Sequence, residues 1–341
     1  MIIIGCDFHP RFQQIAMLND ETGEYQELRL EHGNGAADEF YRRRQGQAVR
    51  IGMEASGHSR WFERRMVELG FELWIGDPAS IRAKATRKQK TDKRDAQLIL
   101  ELLLEDRFPR LRWWPTPAER DVRQLVLHRH RLVQMRTRVK NQRQALAMNE
   151  CLCGKSKRWS QAGRAQFEAV PLLAWTARRR QDLFELHDEL VDTTAPLDQA
   201  VAEQAVARPE VRRLMTHPGV GEITALTFVL ILGDPRRFAC SRKLTSYLGL
   251  IPSEDSSGGK QRLGHISKQG NALLRGRLTE AAQQAARRDP ELQRCWRRLA
   301  LRKNKAIATV AVARKLAVRL WWMWIRGLDY GQRFGSGSHA G

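Results

Sequence analysis

The sequence predicts an α/β domain in its first third and a mainly α remainder, on three observations. Residues 1–105 carry short apolar runs separated by turn signals, which is strand spacing. Two long stretches beyond residue 116 repeat apolar residues at helical spacing. A last apolar stretch, residues 306–325, has the length and pattern of one amphipathic helix.

Ile2, Ile3 and Ile4 open the first strand, which runs to Asp7. Residues 14–18 make a second strand, and Asn19, Asp20 and Gly23 then supply a hairpin turn into a third at residues 25–30. A helix is expected over residues 36–44, a fourth strand over 49–53 and a helix over 59–69 with Gly70 at its C-terminal end. Residues 71–75 form a fifth strand, and residues 92–104 a helix with few breakers. Three strands, a helix, a strand, a helix, a strand and a helix is the order of the RuvC and ribonuclease H fold. Asp7 and Glu54 fall at the ends of strands one and four, and Asp92 and Asp95 share one side of the last helix at i, i+3. Clustered carboxylates repel one another unless a cation neutralises them, so the quartet calls for a divalent metal.

Charge points to the substrate. The 341-residue chain has a formal net charge of +21, an excess that needs a polyanion nearby. Nucleic acid is the first candidate and a membrane surface the second. Arg314, Lys315 and Arg319 interrupt residues 306–325, which excludes a membrane helix there and leaves Val310, Ala313, Ala317, Leu320 and Trp324 as a packed face. The N-terminus has no charged segment before its apolar run and does not read as a signal peptide. Five cysteines (Cys6, Cys151, Cys153, Cys240 and Cys295) match no zinc spacing and read as free thiols in a reducing cytoplasm. Arg82, Lys84, Arg87, Lys88 and Lys90 crowd a segment next to the acids; such a run is solvated surface or a phosphate contact.

Residues 117–148 read as a long helix with Leu125, Leu132 and Val139 at heptad spacing, flanked by Val122 and Met135. Residues 178–207 make a second helical stretch, with Leu183, Leu186, Leu190 and Leu197 available for packing and Pro196 and Pro209 limiting its length. The pair suggests an antiparallel coiled coil or dimerising arm, with residues 154–163 as a mobile basic connection. The domains expected are 1–108 for the acidic α/β domain, 109–209 for the arm and linker, 210–330 for a small, mostly helical third domain, and 331–341 for a disordered tail. In the third domain, Pro218-Gly219-Val220-Gly221 resembles the turn of a helix-hairpin-helix, where amides near Gly219 and Gly221 can meet a phosphate. Ser256-Ser257-Gly258-Gly259 follows, with Lys260, Arg262, Lys268 and Arg275 around it. The loop is either a polar turn or an exposed serine nucleophile among cations.

These pieces, in this order, resemble the DEDD transposases of the insertion-sequence 110 family, including the Piv-type invertases. The resemblance runs through Gly5-x-Asp7, Met53-Glu54-Ala55-Ser56-Gly57 and Lys90-Thr91-Asp92-x-x-Asp95-Ala96. It continues through Pro218-Gly219-Val220-Gly221, Gly249-Leu250-x-Pro252, Ser256-Ser257-Gly258 and Ser267-Lys268-x-Gly270-Asn271, covering nearly the whole chain. It implies a RuvC-like domain, a coiled-coil arm and a serine-bearing transposase domain. Asp7, Glu54, Asp92 and Asp95 match the acidic motif, holding Mg²⁺ or Mn²⁺, and Ser257, the serine before glycine, matches the nucleophile. The implied reaction excises and inserts the element's own DNA through a covalent 5′-phosphoserine link. Implied partners are donor and target double-stranded DNA, a structured noncoding bridge RNA, and further copies of the chain as a dimer and dimer of dimers with composite active sites. A bacterial cytoplasmic, nucleoid-associated location follows.

Two other readings of the same residues are a junction endonuclease using metal and water, and a non-catalytic RNA- or DNA-binding protein. His9, near Asp7, reads as a solvated strand-end residue rather than a ligand, and His58, close after Glu54, as at most a phosphate contact and not a site residue. Trp113-Trp114 and Trp321-Trp322 read as packing rather than base stacking. Asp255 reads as a turn residue or a further acid.

Overall fold

The computed structural model describes residues 1–84, 91–111, 113–152, 160–256, 260 and 262–334. Two compact units divide the chain, Met1–Trp114 and Pro115–Gly341.

In the first unit, strands β1 (Ile2–Phe8), β2 (Phe12–Asn19), β3 (Tyr25–Glu31), β4 (Val49–Glu54) and β5 (Glu72–Gly76) form one sheet. The strand order is β3-β2-β1-β4-β5. β1, β2 and β3 pair antiparallel, whereas β4 runs parallel to β1 and β5 parallel to β4. This is a mixed α/β architecture consistent with a RuvC-like domain. Helices α1 (Ala36–Arg42), α2 (Arg60–Glu68), α3 (Pro78–Ala83) and α4 (Asp92–Leu104) complete it. The central strand is buried on both faces, which is why it is a continuous apolar run. Ile4, Cys6 and Phe8 pack with Phe40, Tyr41, Phe62 and Met66 on one face. Ile3 packs with Ala96, Ile99, Leu100 and Leu103 of α4 on the other.

Two glycines set how closely α4 sits on the sheet. Gly5 and Gly52 are register partners on β1 and β4. A Cβ on Gly5 would lie 2.2 Å from the Ala96 carbonyl oxygen and 2.4 Å from the Leu100 nitrogen. On Gly52 it would lie 2.8 Å from a Leu103 methyl. Side chains alternate along a strand, so Asp7 and Glu54, two residues beyond each glycine, face the same side as α4.

The second unit contains α5 (Pro117–Asn149), α6 (Gln161–Glu168) and α7 (Ala174–Val206), followed by α8 (Pro209–Met215), α9 (Glu222–Leu232) and α10 (Ser241–Tyr247). A hairpin of β6 (Pro252–Glu254) and β7 (Leu263–Ile266) comes next, then α11 (Ala272–Arg288), α12 (Pro290–Arg302), α13 (Lys305–Arg326) and α14 (Tyr330–Phe334). α5 opens with a reciprocal cap: the Thr116 hydroxyl accepts from the Glu119 amide, and the Glu119 carboxylate accepts from the Thr116 amide. α5 and α7 run antiparallel: Arg129 pairs with Asp198, Val139 packs with Leu183 and Leu190, and Leu146 clusters with Phe184.

Several expectations need correction here. Pro196 does not limit α7, which continues through it. The proline leaves the Asp192 carbonyl without its helical donor, a cost of ~3 kcal/mol. Burial on both sides, at Leu190, Thr194, Val201 and Ala205, holds the helix together. Of the residues expected to pack on α5, Leu132 and Val139 cluster with Leu183 and Leu190, and Val122 and Leu125 pack against the main core; the seam departs from expectation at Met135. Val126, Val139, Leu146 and Ala147 are buried, whereas Met135 and, on α7, Leu186 are exposed. The described part of the basic connection, residues 160–163, is ordered as the Ser160 cap and first turn of α6; residues 154–159 lie outside the described residues. In the expected tail, Tyr330–Phe334 is helical, and residues 335–341 lie outside the described residues.

The main core of this unit joins Val126, Val201 and Ala205 to α8, α9, α11 and α13. Ala313, Ala317 and Leu320 are buried on α13 as the amphipathic pattern requires, with Val310 and Trp324 at the margin. Arg319 is buried as well, bonded to Asp289 at 2.6 Å and to Glu291. Among the described residues no helix is long and apolar enough to cross a membrane. Trp114, Trp321 and Trp322 pack against the cores, with Trp114 donating to the buried Glu63 and Trp321 to the Pro235 carbonyl.

Candidate active site

The sheet brings two of the acids to one end. Cys6 and Met53 are paired on β1 and β4, so the next residues, Asp7 and Glu54, end adjacent parallel strands. Asp92 and Asp95 occupy the first turn of α4, whose Thr91 cap accepts from the Arg94 amide. The positive end of the helix dipole favours carboxylates at that position. Asp7, His9 and Asp92 each offer one ligand atom within 4.8 Å of the others. His9 Nε2 lies 3.1 Å from Asp7 Oδ2 and 3.5 Å from Asp92 Oδ1. His9 is thus not a solvated strand-end residue but stands beside two acids, because the β1–β2 turn carries it there. Glu54 is half-buried and Asp95 stands close enough to raise the charge cost at Asp7.

Asp7 is the strained member of the group. Burial pushes its carboxyl above the ordinary value, and Asp95 and Asp92 push it further, while His9 works in the opposite direction. Two carboxylates and an imidazole at this spacing are a donor set that can hold a divalent cation.

Arg82 is exposed, and the Lys84 ammonium donates to the Arg107 carbonyl. Arg87, Lys88 and Lys90 lie outside the described residues.

In the second unit, Gly219 has φ +86°, and a Cβ there would lie 2.4 Å from the Ala285 nitrogen of α11. Glycine is thus required at that turn by conformation and by packing. Gly221 precedes α9 and is exposed, with open space where its Cβ would be. The β6–β7 hairpin is anchored by two interlocked glycines. Gly249 (φ +66°) packs on the Gln269 backbone and Gly270 (φ +93°) on the Tyr247 carbonyl. Arg275 reaches the Leu248, Gln269 and Gly270 carbonyls at 3.4 Å, so its guanidinium braces this junction. Lys260, Arg262 and Lys268 are exposed around the loop. Ser256 is engaged across the hairpin: its hydroxyl donates to Glu254 at 2.7 Å and accepts from the Arg262 amide at 3.1 Å. Asp255 donates its amide to the Arg262 carbonyl as part of the same turn. Ser257 lies outside the described residues. A groove of about 950 Å³ runs between this hairpin and α12–α13, floored by Leu250, Ile266, Ile307 and Val310.

A sheet of this order, with acids at two strand ends and a helix start, is the arrangement expected of a DEDD transposase. Comparison with known proteins agrees. Residues 4–149 match the DEDD transposase model of the IS110 group, and residues 211–297 match the transposase IS116/IS110/IS902 family. A probable family 20 transposase of Pseudomonas aeruginosa is 30% identical over 293 residues, covering 82% of this chain and 85% of the relative. The transposase for insertion sequence element IS1111A of Coxiella burnetii is 28% identical over 291 residues, covering 82% and 78%. The transposase for element IS1328 of Yersinia enterocolitica is 28% identical over 295 residues, covering 81% and 84%. The chain belongs to the IS110 family of transposases and is a DNA transposase.

Proposed function

We propose that this transposase excises and inserts its own insertion sequence through a covalent 5′-phosphoserine intermediate, with Ser257 as nucleophile and Asp7, Glu54, Asp92 and Asp95 as the cation site. The observation that carries the reading is the seat of α4 on Gly5 and Gly52, which turns Asp7 and Glu54 toward the helix bearing the other two acids. The engagement of Ser256 within the hairpin supports Ser257 as the reacting serine.

In the cleavage step the Ser257 oxygen attacks phosphorus and the bond to the 3′ oxygen breaks. The phosphate stays on serine with the 5′ strand, and the hydroxyl proton ends on the leaving 3′ oxygen. Attack by the 3′ hydroxyl of another strand reverses the bond changes and joins new ends. One phosphodiester is exchanged for another, so no bond energy is lost to water. A bound Mg²⁺ or Mn²⁺ would polarise the phosphate and stabilise its developing charge. Lys260, Arg262 and Lys268 would hold the flanking phosphates, as would Arg82, Lys84, Arg87, Lys88, Lys90 and the Gly219–Gly221 turn. Arg275, placed against backbone carbonyls, would act by holding the hairpin.

The net charge of +21 suits polyanion partners, and the family resemblance adds a structured noncoding RNA to the DNA. That RNA would choose donor and target DNA by base pairing. The domains at 1–108, 109–209 and 210–330 would carry the acids, the oligomerising arm and the serine, with dimers pairing into a tetramer.

The test uses purified protein, its cognate transcript, Mg²⁺ and end-labelled DNA. Wild type should yield denaturation-resistant protein–DNA adducts. Ser257→Ala and Asp7→Ala should each lower strand exchange by at least about a thousandfold, the loss typical of removing a central catalytic group. Cleavage retained in Ser257→Ala but lost in Asp7→Ala would instead establish a water-using endonuclease.

A further inference from the structure

We propose that His9 is a nitrogen ligand of the cation held by Asp7 and Asp92, a fifth protein group outside the acidic quartet, and that it biases the site toward Mn²⁺. The inference rests on the reading of the acids as a metal site and adds a donor of different chemistry. Adjacent ligands of an octahedral ion at about 2.1 Å stand about 3 Å apart. His9 Nε2 stands 3.1 Å from Asp7 Oδ2 and 3.5 Å from Asp92 Oδ1, close to that spacing on both sides.

The ring is held in place from behind. The His9 amide donates to the Phe12 carbonyl at 2.9 Å, closing the turn between β1 and β2. Its imidazole stacks on Phe12 with centroids 4.7 Å apart and planes 25° apart. The Arg29 guanidinium sits 3.5 Å from the Phe12 centroid, so the ring that supports the imidazole is itself held by a cation. The side chain is 35% exposed, against 15% for Asp7, so the imidazole covers the more buried carboxylate. A merely solvated histidine needs none of this support. With His9 at its mouth, the site offers nitrogen as well as oxygen. Mg²⁺ strongly prefers oxygen, whereas Mn²⁺ lies higher in the affinity order for mixed donors.

The experiment is pulsed electron paramagnetic resonance on the full chain with Mn²⁺ added alone, with a parallel titration of Mn²⁺ and Mg²⁺ affinity. Wild type should show an imidazole ¹⁴N coupling to the bound ion. His9→Gln should abolish that coupling and weaken Mn²⁺ binding by at least about tenfold, the scale of losing a group that tunes a metal site. Mg²⁺ binding should change much less. Mn²⁺ bound to wild type without nitrogen coupling overturns the proposal while leaving the acidic site intact. Coupling that survives His9→Gln also overturns it, by assigning the nitrogen elsewhere. Absence of any Mn²⁺ binding to wild type removes the acidic site itself, and this proposal with it. The wild-type spectrum decides the matter even where a variant folds poorly.

Discussion

Asp7 and Asp289 are buried or half-buried aspartates at helix-bearing junctions, yet their surroundings push them in opposite directions. Asp7 meets burial, then Asp95 and Asp92, with His9 alone opposing, and its carboxyl is raised. Burial would raise Asp289 too, but the Leu292 amide, the Tyr330 hydroxyl and Arg319 outweigh it and hold that carboxyl below its usual range. The Leu292 amide donates at 2.7 Å, Tyr330 at 2.7 Å and Arg319 at 2.6 Å. One carboxylate is satisfied by its own chain, and the other, among the described residues, has the His9 imidazole as its opposing group. The difference separates an acid that holds the fold together from one built to receive something from outside.

The largest effect expected is at the satisfied acid. Asp289→Ala removes the cap of α12 and breaks the buried pair with Arg319, leaving that guanidinium its bond to Glu291, and should cost about 3–5 kcal/mol in urea unfolding. A loss below about 1 kcal/mol would break the contrast. Next is His217, packed 4.7 Å from the Tyr330 ring and buried, with its pKa lowered to about 4 by desolvation. Its folded value lies below its unfolded one, so the neutral ring is favoured in the native state. Stability should be full above pH 6.5 and fall as the pH drops toward 4, by roughly 3 kcal/mol in all. His217→Phe should flatten that slope in unfolding measured across the same range. At the other region, Gly5→Ala should cost about 1–3 kcal/mol by lifting α4, and should lower Mn²⁺ affinity with it. The smallest effect is the sharpest test. Asp7→Asn, in chelator, should alter stability by about 0.5 kcal/mol or less, since it removes repulsion rather than a partner. A large loss there would make Asp7 a structural acid like Asp289.

The first unit was legible because its information is local. Strand alternation, the Gly70 turn and the i, i+3 spacing of Asp92 and Asp95 are properties of short windows, and β1, β4 and α4 appear where those windows place them. His9 escaped because what marks it is its meeting with Asp92, which lies on a distant helix that no short window around His9 contains. The same limit hid the Asp289, Arg319, Tyr330 and His217 network, whose members span more than a hundred residues. Pro196 misled for the opposite reason: a strong local rule lost to burial on both sides of it. The β6–β7 pairing read only as a polar loop, because three- and four-residue strands carry too little periodicity to announce themselves.

Where β1 and β4 face α4, what matters is the lack of side-chain atoms. With hydrogen in place of methyl at Gly5, the helix rides on bare peptide, and the ligand atoms of Asp7, His9 and Asp92 stay within 4.8 Å of one another. The aperture of the chemistry is therefore written two residues upstream of the carboxylate, in a residue that touches no substrate. A search for altered metal choice among such enzymes would do well to vary that hidden spacer before it varies any ligand.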